Sequence, residues 1–106
     1  MKKQIIKAPF TLKASVQQLE NKNQFVIEYI SNEKRFLAFQ SYRSLICIYC
    51  PSDDKLFVNW SMWDYSKTTL KHLKMFINEY TRYSYSIKNE FLMMILSNDN
   101  VILFNE

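Results

Sequence analysis

The sequence predicts an α+β fold in which an antiparallel meander sheet of four to five strands carries two helices packed on one face. Two pairs of segments rich in β-branched and aromatic residues flank short polar turns, which is typical of hairpins. After residue 66 the spacing of apolar residues changes to steps of three and four, which is typical of helices. The 106 residues contain no linker, repeat or low-complexity segment, so we expect one domain over residues 1–106.

Four strands are predicted from the two hairpins. They are Phe25–Ile30, Arg35–Gln40, Ser44–Tyr49 and Lys55–Trp60. The sequence S-N-E-K joins the first pair, and P-S-D-D joins the second, where Pro51 favours a type I turn. A further N-terminal strand around Ile5–Ala14 is interrupted by Pro9, which would confine it to a sheet edge.

Two helices follow the predicted sheet. The first begins at Lys67 and has an apolar face of Leu70, Leu73, Ile77 and Tyr80, with Thr69 and Phe76 beside them. The second begins near Ser86 and has an apolar face of Ile87, Phe91, Met94 and Ile95. A hairpin over residues 86–104 is the alternative, but leucine and methionine favour a helix followed by a short strand.

The composition excludes several classes of protein. No glycine is present, so the loops that cradle phosphates in P-loop and dinucleotide-binding proteins are ruled out. No apolar stretch approaches the length of a membrane span, and the charged N-terminus does not resemble a signal peptide. With two cysteines and no disulfide-dense pattern, we expect a reduced, cytoplasmic protein without membrane contact.

The net charge of +4 is unevenly distributed. Residues 1–50 hold eight Lys or Arg against three acidic residues, whereas residues 51–106 hold six against seven. A basic half attracts phosphate groups or acidic protein surfaces, although this charge density is mild.

The stretch W-D-Y-S-K-T-T-L-K-H at residues 63–72 resembles an active site in composition but has the pattern of a helix N-terminus. Ser66 is the expected N-cap, and Asp64 lies where its charge meets the positive end of the helix dipole. Thr69 faces inward, where we expect its hydroxyl to bond to backbone, and His72 lies at the edge of the apolar face as a half-buried residue. Ser66 and His72 are about 600° apart around the helix, which does not suit a nucleophile and its base. We therefore predict no catalytic residue and no enzyme activity.

The sequence Cys47-Ile-Tyr-Cys50 matches the C-x-x-C pattern. Redox enzymes place this pattern at a helix N-terminus, whereas here it closes a strand. Positions 47 and 50 of a strand point to opposite faces, so these cysteines would neither bridge nor share a metal ion. We predict buried free cysteines, with no metal site and no cofactor.

Three surfaces are candidates for binding. Lys67, Lys71 and Lys74 share one face of the first helix and, with Arg43, form a predicted site for nucleic acid. Stacking aromatics beside cations form a second candidate, which suits a protein partner or a single strand; its members are Tyr42, Arg43, Arg82, Tyr83 and Tyr85. The far side of the second helix carries Leu92, Met93 and Leu96, which would be covered by the N-terminal segment or by a second chain in an oligomer.

Two motifs in the middle of the chain resemble those of a known group of proteins. They are F-Q-S-Y-R-S-L-I at residues 39–46 and W-D-Y-S-K-T-T-L-K-H-L-K-M-F at residues 63–76. The pattern is similar to that of small uncharacterised proteins of phages and plasmids from low-GC Gram-positive bacteria, over roughly residues 36–77. Those proteins often have a glycine in the turn that is Pro51–Asp54 here. The resemblance implies that the chain comes from a mobile genetic element, and it implies no activity.

We therefore expect a small non-enzymatic binding protein that inhibits a host protein, for example as an anti-CRISPR or other anti-defence protein acting on a nucleoprotein complex. The alternative is an accessory protein that binds nucleic acid through its basic and aromatic surface.

Overall fold

The α+β class is confirmed by a computed structural model of the chain, which describes residues 5–7, 15–18 and 23–105. The elements in chain order are β1 (Ile5–Lys7), β2 (Ser15–Gln18), β3 (Gln24–Ser31), β4 (Lys34–Ser41), β5 (Ser44–Cys50), β6 (Lys55–Asn59), α1 (Lys67–Tyr80), α2 (Lys88–Ser97) and β7 (Val101–Asn105). In these parts of the chain, no helix has the length and apolar character needed to cross a membrane.

The strands form one sheet in the order β1-β7-β6-β5-β4-β3-β2. Strands β3 to β6 are the four strands of the predicted antiparallel meander, and β2, just beyond the predicted N-terminal strand, extends the meander to five members. The sheet extends beyond this meander, because β7 pairs in parallel with both β6 and β1. Strand β1 accounts for residues 5–7 of the predicted N-terminal strand and lies at an edge, as Pro9 suggested, whereas residues 8–14 of that prediction lie outside the described part.

The parallel pairing of β6 with β7 explains why both helices lie on one face. Parallel neighbours require a crossover connection, and here α1 and α2 supply it. Arg82, which follows α1, and Asn100, which follows α2, both contact Asp54. Both helices therefore end near the β5–β6 turn, where the strands of the sheet end on one side. We call this group of strand ends and loops the Asp54 edge.

The hairpin turns use left-handed backbone although the chain has no glycine. Asn32 and Glu33 have φ of 51° and 66°, as a two-residue type I′ turn requires. Tyr42 has φ of 55° in the β4–β5 turn, where a bulky residue is uncommon. In the predicted P-S-D-D turn the N–H of Asp54 donates to the Pro51 carbonyl at 3.3 Å, with Asp54 itself at φ 51°.

A β-bulge in β5 places two consecutive residues on the same face of the sheet. The register shifts opposite Phe39 and Gln40, so that Ile46 and Cys47 both point toward the helices. Cys50 belongs to the opposite face. The prediction that the two cysteines point to opposite faces is confirmed, and both are free and buried.

Each face of the sheet carries an apolar cluster. The core under the helices contains strand residues and the buried face of the helices, including Phe39, Ile46, Leu56, Leu73, Phe76, Ile77, Phe91 and Ile95. The opposite face has its own buried cluster, to which neither helix contributes; it includes Ile27, Tyr29, Phe36, Ala38, Ile48 and Phe104. Strands buried on both sides explain the nearly continuous apolar sequence of β5.

Both predicted helices are present, so the hairpin alternative for residues 86–104 is wrong. α1 is capped by Ser66, whose hydroxyl accepts from the N–H of Thr69 at 3.1 Å. α2 begins at Lys88 rather than near Ser86, and Ile87, expected on its apolar face, is 61 % exposed. The N-cap residue Ile87 has no polar side chain, so Glu90 caps the helix instead. The Glu90 carboxylate accepts from the N–H groups of Ser86 and Ile87 at 2.8 and 3.0 Å.

Candidate nucleic-acid interface

The two sequence motifs meet at a cluster of hydroxyls beneath the start of α1, in which Ser41 and Thr69 are fully buried. Thr69 Oγ1 lies 2.8 Å from Ser41 Oγ and 3.0 Å from Ser66 Oγ. Tyr65 OH lies 3.5 Å from the same Ser41 oxygen. The Thr69 hydroxyl therefore bonds to side chains and not to backbone, contrary to the sequence prediction. The motifs F-Q-S-Y and W-D-Y-S-K-T-T thus join the end of β4 to the first turn of α1.

His72 is fully buried rather than half-buried at an edge. It is 2 % exposed, and its Nδ1 lies 2.9 Å from the Thr68 carbonyl of its own helix, to which a protonated Nδ1 donates. The Ser66 hydroxyl accepts from the backbone N–H of Thr69 as the helix cap, and it donates to the hydroxyl oxygen of Thr69. The histidine and the serine therefore serve the helix and its packing.

Cys47 lacks the environment of a reactive thiol. Burial raises the pKa of its thiol far above the ordinary value, and the backbone hydrogen bond from Ile48 offsets only part of that rise. Within residues 23–105 and the short described N-terminal strands, no group of three or more His, Cys, Asp or Glu side chains is placed to hold a metal ion.

A groove beside α1 gathers four lysines. It has a volume of about 280 Å³ and is lined by Lys67, Leu70, Lys71, Lys74, Tyr85, Ser86 and Lys88. We call it the lysine groove. The three lysines predicted on α1 line it together, and Lys88, which the sequence did not single out, joins them from the start of α2. A second, more open hollow of about 780 Å³ shares Lys71 and Lys74 and also contacts Met75, Asn78 and Glu79.

Asn78 creates the second wall of the lysine groove. Its side-chain amide donates to the Tyr85 carbonyl at 3.2 Å and accepts from the Tyr85 N–H at 2.9 Å. These two bonds hold the connection between the helices alongside α1. Lys88 therefore lies beside the lysines of α1, which precede it by 14 to 21 residues in the chain.

Acidic residues lie near part of the lysine groove. Lys88 pairs with Asp64 at 3.2 Å and lies 5.6 Å from the centre of the Trp63 ring. The backbone N–H groups of Ile87 and Ser86 are the main causes that lower the pKa of the Glu90 carboxyl, and the charge of the nearby Lys74 adds to them. An anionic ligand would therefore compete with Asp64 for Lys88.

The predicted aromatic and basic set does not form one surface. Arg82 and Tyr83 lie at the Asp54 edge, whereas Tyr42 and Arg43 form the turn at the other end of β5. Tyr85 is buried and stacks on Phe91 with ring centres 4.6 Å apart.

Asp54 organises the edge to which Arg82 and Tyr83 belong. Its carboxylate accepts from Arg82 at 2.9 Å, from Asn100 at 3.2 Å and from the Tyr49 hydroxyl at 3.2 Å. Tyr83 packs edge-on against Tyr49, with ring centres 6.2 Å apart. Arg82 and Tyr83 therefore tie the loops that follow α1, α2 and β5 together, a role that the sequence did not indicate.

The turn of Tyr42 and Arg43 is exposed. Tyr42 is 44 % exposed, and its backbone N–H donates to the Asn23 carbonyl at 2.6 Å. Arg43 lies at the end of the sheet where α1 begins, because Ser41 contacts Thr69. It does not line the lysine groove.

The predicted oligomer residues divide between core and surface. Leu92 is half-buried and packs against the core under the helices. Met93 and Leu96 are 64 % and 42 % exposed. The apolar surface outside α2 is therefore narrower than its sequence suggested.

The chain is therefore an α+β protein whose crossover helices form a basic cleft, the lysine groove. Residues 3–91 match the model of a family of unknown function (DUF8033), and the chain belongs to that family. The matched stretch contains both motifs that meet at Ser41 and Thr69. No curated protein and no solved structure is detectably similar to the chain.

Proposed function

We propose that this chain is a small non-enzymatic binding protein that contacts the phosphate groups of a nucleic acid through the lysine groove. The observation that carries the proposal is the convergence of Lys67, Lys71, Lys74 and Lys88 on one concave surface. Lysines that neutralise phosphates release counterions, and this release provides the driving force for binding without sequence preference.

The hydroxyl and imidazole side chains that resemble catalytic groups have structural roles, which supports a non-enzymatic function. Ser66 caps α1, Thr69 bonds to Ser41, and the ring of His72 is bonded to its own helix. A reaction at either hydroxyl would break these hydrogen bonds, and the ring of His72, at 2 % exposure, is out of reach of a ligand.

The setting we propose is a mobile genetic element, on the strength of the resemblance between its proteins and the two motifs. A protein of such an element that binds nucleic acid would act on free nucleic acid, or on the nucleic acid held in a host nucleoprotein complex such as a CRISPR effector. In the second case the result would be inhibition of defence in the cytoplasm of the host.

Salt dependence tests the proposed contact with phosphate. The measurement is the affinity for a fluorescent oligonucleotide at increasing salt, for the wild-type chain and for the double variant Lys71→Gln/Lys74→Gln. We expect the log–log slope to become shallower by about 1.4 for a single strand when two phosphate contacts are lost. The matched control is Lys34→Gln/Lys55→Gln, which removes two lysines outside the groove.

Equal slopes for the two double variants would contradict the proposal. So would a wild-type affinity that does not respond to salt.

Direct inhibition of a host protein is a second candidate, favoured by one observation. Tyr42 occupies a left-handed position in an exposed two-residue turn, beside Arg43. Strained backbone that presents an aromatic side chain is often retained for binding, and tyrosine and arginine are enriched at protein interfaces.

A pull-down from host lysate, divided into nuclease-treated and untreated halves, separates the two candidates. A protein that is retained after nuclease treatment by the wild-type chain and lost with Tyr42→Ala would support the second candidate. Recovery of nucleic acid that is lost with Lys71→Gln/Lys74→Gln would support the first.

A further inference from the structure

We propose that the lysine groove selects single-stranded nucleic acid over duplex, with one nucleotide held between α1 and the start of α2. This inference rests on the proposed function, since it names the form of nucleic acid that the same groove would bind. It follows from the shape of the groove, from the nature of its floor and from the position of Lys88.

The first argument is the volume of the groove. About 280 Å³ is slightly below the range of small-ligand pockets and is suited to one nucleotide. A duplex keeps its bases stacked inside and presents its phosphates on a rigid, convex surface. A single strand can turn one unstacked nucleotide into a narrow cleft, which a duplex cannot do without opening.

The second argument is the floor. Between the lysines lies the half-buried Leu70. Tyr85 also lines the groove, but its ring is 8 % exposed and stacked on Phe91, so Leu70 is the side chain that a base would contact. Proteins that bind single strands combine a basic groove with apolar or aromatic side chains that contact the bases. A surface that bound only a duplex backbone would not need an apolar floor between its cations.

The third argument is the arrangement of the cations on two walls. Along α1, Lys71 and Lys74 lie about 6 Å and 10 Å from Lys67 at the helical rise of 1.5 Å per residue. Lys88 faces this row from the start of α2, where Asn78 holds the connection. A strand lying in the groove would therefore meet cations on both sides.

Fluorescence anisotropy tests the proposal with the intact chain. The probes are a labelled oligothymidine of about twelve nucleotides, within the range of 4–16 nucleotides per site, and a duplex of the same length. We expect the single strand to bind roughly tenfold more tightly, with a log–log salt slope of about −3 for four phosphate contacts. Lys88→Gln should reduce this slope by about 0.7, whereas Lys55→Gln, outside the groove, should leave it unchanged.

An abasic strand of the same length tests the floor without altering the protein. It should bind about three- to fourfold more weakly than oligothymidine, because the contact of a base with Leu70 removes only a small apolar area from water. Equal affinity of the abasic strand would contradict the contact between a base and the floor.

The results distinguish this inference from the function on which it rests. Duplex bound as tightly as single strand, with the loss of salt dependence in Lys71→Gln/Lys74→Gln, would overturn the inference and leave the proposed function intact. A salt slope unaffected by Lys88→Gln would also overturn the inference, because the strand would then meet cations on one wall only. Failure of both probes to bind at low salt would overturn both proposals.

Discussion

Ser41 and Thr69 join the sheet to the first helix through a hydrogen bond of 2.8 Å between two fully buried hydroxyls. Ser66 donates to the same threonine oxygen at 3.0 Å, so Thr69 is hydrogen-bonded to both motifs. Each of the two motifs contributes to this contact, which therefore fixes where α1 begins above the end of β4. The position of Lys67, one residue after the cap, follows from it.

A double-mutant cycle measures the strength of this contact. Ser41→Ala and Thr69→Val should each lower the free energy of unfolding by about 1–2 kcal/mol, because each leaves a buried hydroxyl short of a partner. The double variant should lose less than the sum of the two by roughly 1 kcal/mol. Urea denaturation of the four proteins gives the values, and strictly additive losses would show that the two hydroxyls do not interact.

The left-handed backbone at Tyr42 predicts that a substitution at this position will stabilise the chain. Asparagine tolerates left-handed backbone better than an aromatic residue, so Tyr42→Asn should raise the free energy of unfolding by roughly 0.5–1 kcal/mol. Arg43→Asn, at the next position of the same turn, where φ is not positive, is the matched control and should give no such gain. A thermal melt that finds Tyr42→Asn less stable than wild type would argue against strain at this turn.

The capping role of the Glu90 carboxylate predicts that part of the free energy of unfolding is lost at acidic pH. Hydrogen bonds from the N–H groups of Ile87 and Ser86 lower its pKa in the folded chain below the ordinary value of 4.5. A lowered folded pKa means that this contribution is present above the unfolded pKa and is lost as the pH falls through the folded pKa. Glu90→Gln should therefore show a smaller loss of stability than wild type on acidification below about pH 4.5.

Denaturant melts at several acidic pH values check this prediction. Glu79→Gln removes an exposed carboxylate of α1 and serves as the control, which should retain the dependence that Glu90 produces. Identical pH profiles for wild type and Glu90→Gln would contradict the capping role of this carboxylate.

The ion pair between Asp64 and Lys88 predicts that removal of the carboxylate will strengthen the binding of nucleic acid. The two side chains lie 3.2 Å apart in the free chain, so a phosphate must compete with Asp64 for Lys88. Asp64→Asn should raise the affinity for single-stranded oligonucleotide several-fold at low salt, because the lysine groove gains a cation without a counter-charge. Asp99→Asn removes the same charge from the exposed turn before β7, and a gain of equal size there would show that only net charge matters.

The elements with local signals were predictable from the sequence. The cap at Ser66, the period of α1 and the polar turns of the two hairpins depend on residues within a few positions of one another. The exposed Ile87 was misassigned because helical periodicity alone does not show that Glu90 caps the N-terminus of α2, which therefore begins only at Lys88.

The features that sequence analysis missed depend on contacts between distant segments. The parallel pairing of β7 with β1 and β6 has no local signature, because its partners are separated by most of the chain or by both helices. Lys88 joins the lysine groove only because Asn78 holds Tyr85 beside α1. The burial of His72 and the role of Asp54 likewise follow from packing between elements and not from the spacing of residues.

The most direct test of the central claim, that the lysine groove is the binding surface, is a two-dimensional ¹H–¹⁵N NMR titration with single-stranded oligonucleotide. We predict that the amide signals that shift most will be those of residues 67–74 and 85–88, on the two walls of the groove. Shifts confined to Tyr42 and Arg43, or to the Asp54 edge, would contradict this account and place the binding surface elsewhere.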